Sequence, residues 1–193
     1  ITPFRIDEAL REIEECHKQL GFVWLGEFCN YMTGYRYDTP EWTQIMNLAK
    51  RLNVVMQIHT NAREMRYLAD TFPENTIVFP HLGGNQKDIQ ERVDIVAQHK
   101  NAYIDISGSG IERVGILEKA VKTIGADRVL YGSDFTINEP SGVIARVNNA
   151  LRRDGRRSPL VAIDETPIDA TPASQSLQLL AKRTVWPTHP TQP

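Results

Sequence analysis

The chain has 193 residues, of which 41% are hydrophobic and 24% are charged, and its formal net charge is −2. This length suits one domain with a sizeable core. Mixed charges argue against a protein that binds nucleic acid or an anionic membrane, because such proteins concentrate positive charge. No apolar run approaches the roughly 20 residues of a membrane-spanning helix, and the first residues lack the pattern of a secretory signal. We therefore expect a cytosolic protein that binds neither nucleic acid nor membrane.

Strand-like apolar runs alternate with stretches of helical periodicity along the chain. Residues 6–20 predict the first helix, and Gly21 directly after it predicts a C-cap. The run 21–28 then predicts a strand near whose end a carboxylate stands. Thr39 and Pro40 predict the start of the next helix, as its N-cap and its first residue.

The same alternation continues through the following hundred residues. Further strands are predicted at 53–60, 76–82, 102–107 and 128–134, and further helices at 62–72, 88–98, 111–124 and 143–151. Five apolar strands separated by helices predict an α/β fold with a parallel sheet, because strands buried on both faces read as continuous apolar runs. Two architectures fit this pattern: an open doubly wound sheet, and part of a (β/α)8 barrel, whose full form has eight strands and roughly 250 residues.

Every predicted strand ends in a side chain that can bind metal or move protons. In either architecture the carboxyl ends of the parallel strands meet at one edge of the sheet, where ligands bind. In chain order these residues are Glu27, His59, His81, Asp105 with Ser107, and Ser133 with Asp134. A single histidine after a strand is most often a hydrogen-bonded rim residue. The same coincidence at five successive strands favours one shared site.

The other histidines and the two cysteines receive structural interpretations. His17 lies on a predicted helix and His99 at a helix end, where solvated or capping roles are usual, and His189 lies in a proline-rich stretch. Cys16 and Cys29 do not predict a disulfide framework, and neither has the sequence neighbours of a metal motif.

Imidazole and carboxylate side chains together suit zinc or a similar first-row divalent ion. Such an ion lowers the pKa of a bound water and polarises a carbonyl oxygen. A neighbouring carboxylate can then act as general base, and a second histidine can hold or protonate the substrate. His59, His81 and Asp134 fill these roles, and Gly83 with Gly84 after His81 allows the backbone to approach a ligand closely.

Five segments carry a family resemblance: GEF, VVMQIHT, PHLGG, YIDIS and RVLYGSDF. In this order they resemble the amidohydrolase-related family of the amidohydrolase superfamily, which includes metal-dependent hydrolases and the nonoxidative decarboxylases related to aminocarboxymuconate-semialdehyde decarboxylase. The resemblance implies a distorted (β/α)8 TIM barrel of which this chain carries strands four to eight. It implies that His59 is a metal ligand, that His81 is catalytic, and that Asp134 contacts the metal and shuttles protons. Glu27 matches an acidic position whose role varies within the family, and it is a further catalytic candidate.

Two departures from the family pattern affect the expected site and domain boundary. The chain has no His-x-His pair, which supplies metal ligands from the family's first strand. We therefore expect two protein ligands, His59 and Asp134, unless a homo-oligomer or a missing N-terminal segment completes the site. Residues 156–193 contain six of the eleven prolines and predict a tail outside the barrel portion 1–155, with a short helix at 174–183.

The sequence thus predicts a truncated, metal-dependent hydrolase with zinc as its cofactor and a small amide, ester or lactone as its substrate. One alternative is a nonoxidative decarboxylase of the same family. Another is a noncatalytic remnant that associates with a second chain. A small open-sheet protein without metal is the last alternative, and it predicts that His59, His81 and Asp134 do not converge.

Overall fold

A computed structural model describes residues 1–153, and these form alternating helices and strands. The α-helices are α1 (Ile6–Leu20), α2 (Asn30–Thr33), α3 (Pro40–Leu52), α4 (Ala62–Thr71), α5 (Gln86–Gln98), α6 (Ile116–Ile124) and α7 (Pro140–Arg153). The strands are β1 (Trp24–Cys29), β2 (Val55–His59), β3 (Ile77–Phe79), β4 (Ala102–Asp105) and β5 (Val129–Leu130). The predicted tail 156–193, its helix at 174–183 and the boundary at 155 lie outside the described residues.

All five strands belong to one parallel sheet whose spatial order is the chain order, β1-β2-β3-β4-β5. A doubly wound sheet reverses direction at a switch point so that helices cover both faces. Here the order does not reverse among the described strands, and α4 packs on α5, α5 on α6 and α6 on α7. Crossovers of one hand place successive helices on one side of such a sheet. The arrangement is therefore part of a (β/α)8 barrel, as predicted.

Sequence signals at the helix ends have the expected structural effect. The Thr39 hydroxyl accepts a hydrogen bond from the Trp42 amide at 3.2 Å, which caps the start of α3. Gly21 ends α1 in the left-handed conformation with φ +71°, which a glycine adopts without steric cost. Both caps were predictable because they depend on neighbours in sequence.

Several predicted element ends differ from the structure, and three of these differences have a local cause. The helix expected at 111–124 begins only at Ile116, because the segment before it turns through Gly110 and Gly115, both with positive φ. The strand expected at 128–134 pairs over Val129–Leu130 alone, since its neighbour β4 ends at Asp105. Helix α5 starts two residues earlier than expected because the Asn85 side chain accepts hydrogen bonds from the first-turn amides.

Side chains alternate between the two faces of the sheet with the period of two that strands impose. The helix-covered face carries the main core, to which β2 contributes Met56 and Ile58. The opposite face, which would be the barrel interior, carries Val55 and Gln57 of the same strand. His59 follows in this alternation, so the fold directs it to the inner face. None of the helices in the described part is both long enough and apolar enough to cross a membrane.

Candidate active site

The carboxyl ends of the five strands bring polar side chains to one edge of the sheet. Glu27 lies on β1 and His59 ends β2, while the remaining residues follow β3, β4 and β5 in the order His81, Ser107 and Asp134. The contacts between these side chains determine which ligands and which chemistry this edge of the sheet can support.

Glu27 and His59 form a hydrogen-bonded pair at the ends of β1 and β2. His59 Nδ1 lies 2.7 Å from Glu27 Oε1, and the two side chains are 28% and 30% exposed. A β-bulge between Leu25 and Phe28 shifts the register of β1 against β2, and bulges of this kind re-aim side chains beside active sites. The hydrogen bond from His59 holds the pKa of Glu27 below its ordinary value. Glu27 is therefore an anion at neutral pH.

Cys29 lies beside this pair. It is the register partner of His59 across β1 and β2, and its thiol donates a hydrogen bond to Glu27 Oε1 at 3.3 Å. One possible ligand atom from each of Glu27, Cys29 and His59 lies within 4.8 Å of the other two. Burial, reinforced by the Glu27 carboxylate, raises the pKa of the Cys29 thiol to about 11. No local sequence pattern indicates this role of Cys29, because the contact depends on strand register.

His81 is held by the residues at the end of β4. Its Nδ1 lies 2.9 Å from the Ser107 carbonyl oxygen and 3.0 Å from the Ser107 hydroxyl. A carbonyl can only accept, so Nδ1 carries a proton and Nε2 is left for other partners. The buried Asp105 carboxylate accepts hydrogen bonds from the Ser107 amide at 2.8 Å and from the Gln57 amide group at 3.0 Å. Asp105 and Ser107 thus serve to orient His81.

His59, His81 and Asp134 converge at this edge. The rings of His59 and His81 meet edge to face with their centroids 4.6 Å apart. A side-chain carbon added at Gly108 would lie 2.5 Å from His81 Nδ1 and 3.0 Å from an Asp134 carboxylate oxygen, so both groups contact the same point. His81 and Asp134 also have positive φ, +67° and +59°. Such backbone is costly outside glycine and clusters at functional sites.

A comparison with family models gave one decisive match. The model described as amidohydrolase matches residues 2–170, most of the chain. The chain belongs to the amidohydrolase family. This match confirms the resemblance seen in the strand-end segments. A separate comparison with curated proteins gave no match.

Solved structures of amidohydrolase-type proteins share the fold. A 5-carboxyvanillate decarboxylase from Sphingomonas paucimobilis has a TM-score of 0.59 and 15% identity, covering 95% of this chain and 62% of that one. A probable 2-pyrone-4,6-dicarboxylic acid hydrolase from Acinetobacter baumannii has a TM-score of 0.57 and 17% identity, covering 76% and 63%. A dihydroxybenzoic acid decarboxylase from a Polaromonas species, with bound manganese and 2-nitroresorcinol, has a TM-score of 0.56 and 20% identity, covering 75% and 60%. The chain therefore spans less than two thirds of their lengths.

The residues at the strand ends fit a divalent metal ion. Anionic Glu27, the imidazole of His59 and the thiol of Cys29 supply three donors within 4.8 Å, and oxygen, nitrogen and sulfur donors are those that zinc accepts. Asp134 lies across Gly108 from His81 and adds a second carboxylate to this edge. The metal roles of His59 and Asp134 stay predictions.

A cleft of about 340 Å³ opens beside the two histidines. Its wall includes His59, His81, Tyr31 and Glu64, and its volume is in the range of roughly 300–1,000 Å³ found for small-molecule sites. The Tyr31 ring packs edge to face on His59 with a centroid separation of 5.0 Å. A small substrate bound in this cleft would contact both imidazoles.

Arg92, on α5, is a structural residue of the site that the sequence prediction missed. Its buried guanidinium donates to the carbonyl oxygens of Thr60 at 2.7 Å, Pro80 at 2.6 Å and His81 at 3.1 Å. One side chain thus ties the residues after β2 to the residues after β3. Its burial could have been inferred from its position three residues after the buried Ile89 on α5, because residues at that spacing lie on the same face of a helix.

Replacing Arg92 with alanine is expected to lower the free energy of unfolding by about 3 kcal/mol, because three buried carbonyl groups would lose their donor. Urea unfolding measures this change. Arg66→Ala is the matched control, since exposed Arg66 donates to the side chain of Gln98, and it should change stability by no more than about 0.5 kcal/mol. Equal small losses in both variants would contradict the assigned role.

Proposed function

We propose that this chain carries the active-site strand ends of a metal-dependent hydrolase that acts on a small amide, ester or lactone. The convergence of His59, His81 and Asp134 at one edge of the sheet is the observation that supports this proposal most strongly. The positive φ of His81 and Asp134 supports it further. A shared fold does not fix a reaction, so the proposal rests on these side chains.

Each proposed residue has a distinct role. His59 and Asp134 would hold a divalent ion, zinc in our proposal, which supplies polarisation of the substrate carbonyl and a lowered pKa for water. Asp134 takes the proton of the attacking water. His81 stabilises, through Nε2, the oxygen on which negative charge develops, because its Nδ1–H is already bonded to Ser107. Glu27 keeps the His59 ring oriented through the hydrogen bond at Nδ1.

Nonoxidative decarboxylation is the second candidate reaction. The similar structures from Sphingomonas and Polaromonas are both named decarboxylases, and the same side chains suit that chemistry. In this version His81 or Asp134 protonates the substrate carbon before carbon dioxide leaves.

We also propose a cytosolic location, and a homo-oligomer or an N-terminal segment as the source of the remaining barrel strands.

Metal content of the 193-residue chain tests the metal dependence. We expect near-stoichiometric metal by elemental analysis, and its loss in His59→Ala, because the variant removes a proposed ligand. His99→Ala is the control, since His99 bonds to Asp70 and Ile95 at a helix end outside the site. A well-folded chain that binds no zinc would contradict a metal-dependent reaction and favour the noncatalytic alternative.

A substrate panel then separates the two reactions. The lactone 2-pyrone-4,6-dicarboxylate reports hydrolysis through ring opening, while 2,6-dihydroxybenzoate and 5-carboxyvanillate report decarboxylation through carbon dioxide release. We expect metal-dependent ring opening. Release of carbon dioxide without ring opening would replace hydrolysis with decarboxylation and leave the metal site intact.

A further inference from the structure

Cys29 faces the candidate metal site because of its position in the sheet. Glu27 and Cys29 are two residues apart on β1, and residues at this spacing share a face of a strand. Cys29 is also the register partner of His59 on β2, so these two side chains are cross-strand neighbours. Phe28 between them points the other way, into the core, with its ring centroid 5.2 Å from that of Trp42.

The distances among the three side chains suit a single ion. Cys29 Sγ lies 3.3 Å from Glu27 Oε1, and Glu27 Oε1 lies 2.7 Å from His59 Nδ1. A tetrahedral zinc ion with bonds of about 2.0–2.3 Å keeps its donor atoms roughly 3–4 Å apart. Small side-chain adjustments therefore bring all three donors to one ion.

Two hydrogen bonds within this group converge on one oxygen atom of Glu27. The thiol of Cys29 and a ring nitrogen of His59 both direct a proton at the same oxygen of Glu27. A divalent cation at this position would take the place of both protons and bind the sulfur, the ring nitrogen and the carboxylate oxygen. Cys16, the other cysteine, lies on α1 and is not in this group.

We propose that Cys29 is a thiolate ligand of the ion at this site, together with Glu27 and His59. The proposal rests on the metal-dependent function above. It keeps His59 and Asp134 as ligands and adds Cys29 and Glu27, whose hydrogen bond to His59 is exchanged for a bond to the ion. Binding exchanges the sulfur–hydrogen bond for a sulfur–metal bond, and the proton leaves to solvent. Catalytic zinc sites have three protein ligands, and this set supplies three from two adjacent strands. Because thiolate is a soft ligand, the site prefers zinc or cobalt to manganese.

Cobalt titration of the full chain tests this proposal without any measurement of activity. A thiolate bound to Co²⁺ gives an intense charge-transfer absorption in the near ultraviolet, which nitrogen and oxygen ligands do not give. We expect this absorption in the wild-type chain and in Cys16→Ser, and its loss in Cys29→Ser. Zinc affinity should fall by about tenfold or more in Cys29→Ser, since even outer partners of ligands contribute that much. Circular dichroism of both variants checks that each is folded.

The outcomes separate this proposal from the proposed function. Cobalt binding without charge-transfer absorption in the wild-type chain would overturn the thiolate ligand and leave a metal site without sulfur. Absorption that persists in Cys29→Ser and disappears in Cys16→Ser would overturn it in the same way. No cobalt or zinc binding by a folded wild-type chain would overturn both the ligand and the metal-dependent function. Manganese that displaces zinc at equal concentration would contradict the preference.

Discussion

Replacing His81 with alanine is expected to lower kcat by about 10²- to 10⁴-fold, the range that a positioned proton donor contributes, while metal content stays largely unchanged. The His81 Nδ1 proton is already bonded to the Ser107 carbonyl, so Nε2 is the nitrogen left to act on substrate. His81 is also outside the group of three possible metal ligands formed by Glu27, Cys29 and His59. Steady-state kinetics on the substrate that turns over, with elemental analysis of the same samples, measures both quantities.

His17→Gln provides the matched control for this variant. His17 lies on α1, with its Nδ1 2.8 Å from the Phe22 carbonyl oxygen, and its replacement should leave both kcat and metal content unchanged. Equal loss of metal in the His81 variant would mean that His81 is a ligand, which would overturn the division of roles between His81 and His59. A kcat close to the wild-type value would remove His81 from the mechanism altogether.

The overall fold was accessible from the sequence because its signals are local. Apolar runs, helical periodicity and caps such as Thr39 and Gly21 depend on residues within a few positions of one another. The polar residues that follow each strand also predicted a shared edge, because parallel strands point the same way. This is why His59, His81 and Asp134 could be grouped before their distances were known.

The remaining parts of the site depend on contacts between distant parts of the chain. Cys29 reaches His59 through a register that follows a bulge in β1, and no local pattern specifies that register. Arg92 reads as one more charged residue of α5, although it is buried and bonded to three carbonyl groups. The orientation of His81 by Ser107 required the path of the chain after β4. Strand-end position therefore indicates where a site lies, whereas packing decides which atoms face it.

Hydrolysis and decarboxylation would use the same protein side chains, so these side chains do not distinguish the two reactions. In both proposed reactions Asp134 and His81 would move a proton, to or from an oxygen in hydrolysis and to a carbon in decarboxylation. The same proposed roles therefore serve either reaction, and the chemistry of the substrate in the cleft would select between them. A ring-opening lactone and a carboxylated phenol present different atoms to the same Nε2.

Replacing Gly108 with alanine is expected to lower kcat by about 10²-fold, the usual effect of displacing reacting groups by roughly 1 Å. The added carbon would lie 2.5 Å from His81 Nδ1 and 3.0 Å from an Asp134 carboxylate oxygen. Both distances are too short for ordinary contacts, so one or both groups must move. Gly108 also has φ +59°, and a left-handed alanine costs about 1–2 kcal/mol. Kinetics and urea unfolding of the same variant measure the two effects.

Gly34→Ala separates the backbone cost from the clash. Gly34 has φ +77°, but a side-chain carbon added there would meet no atom within 4 Å. This control should therefore lose similar stability from the backbone and retain wild-type kcat. If Gly108→Ala also retained wild-type kcat despite a measurable loss of stability, His81 and Asp134 would not need their observed positions. The convergence of these two groups would then reflect packing, and the proposed mechanism would lose its main structural support.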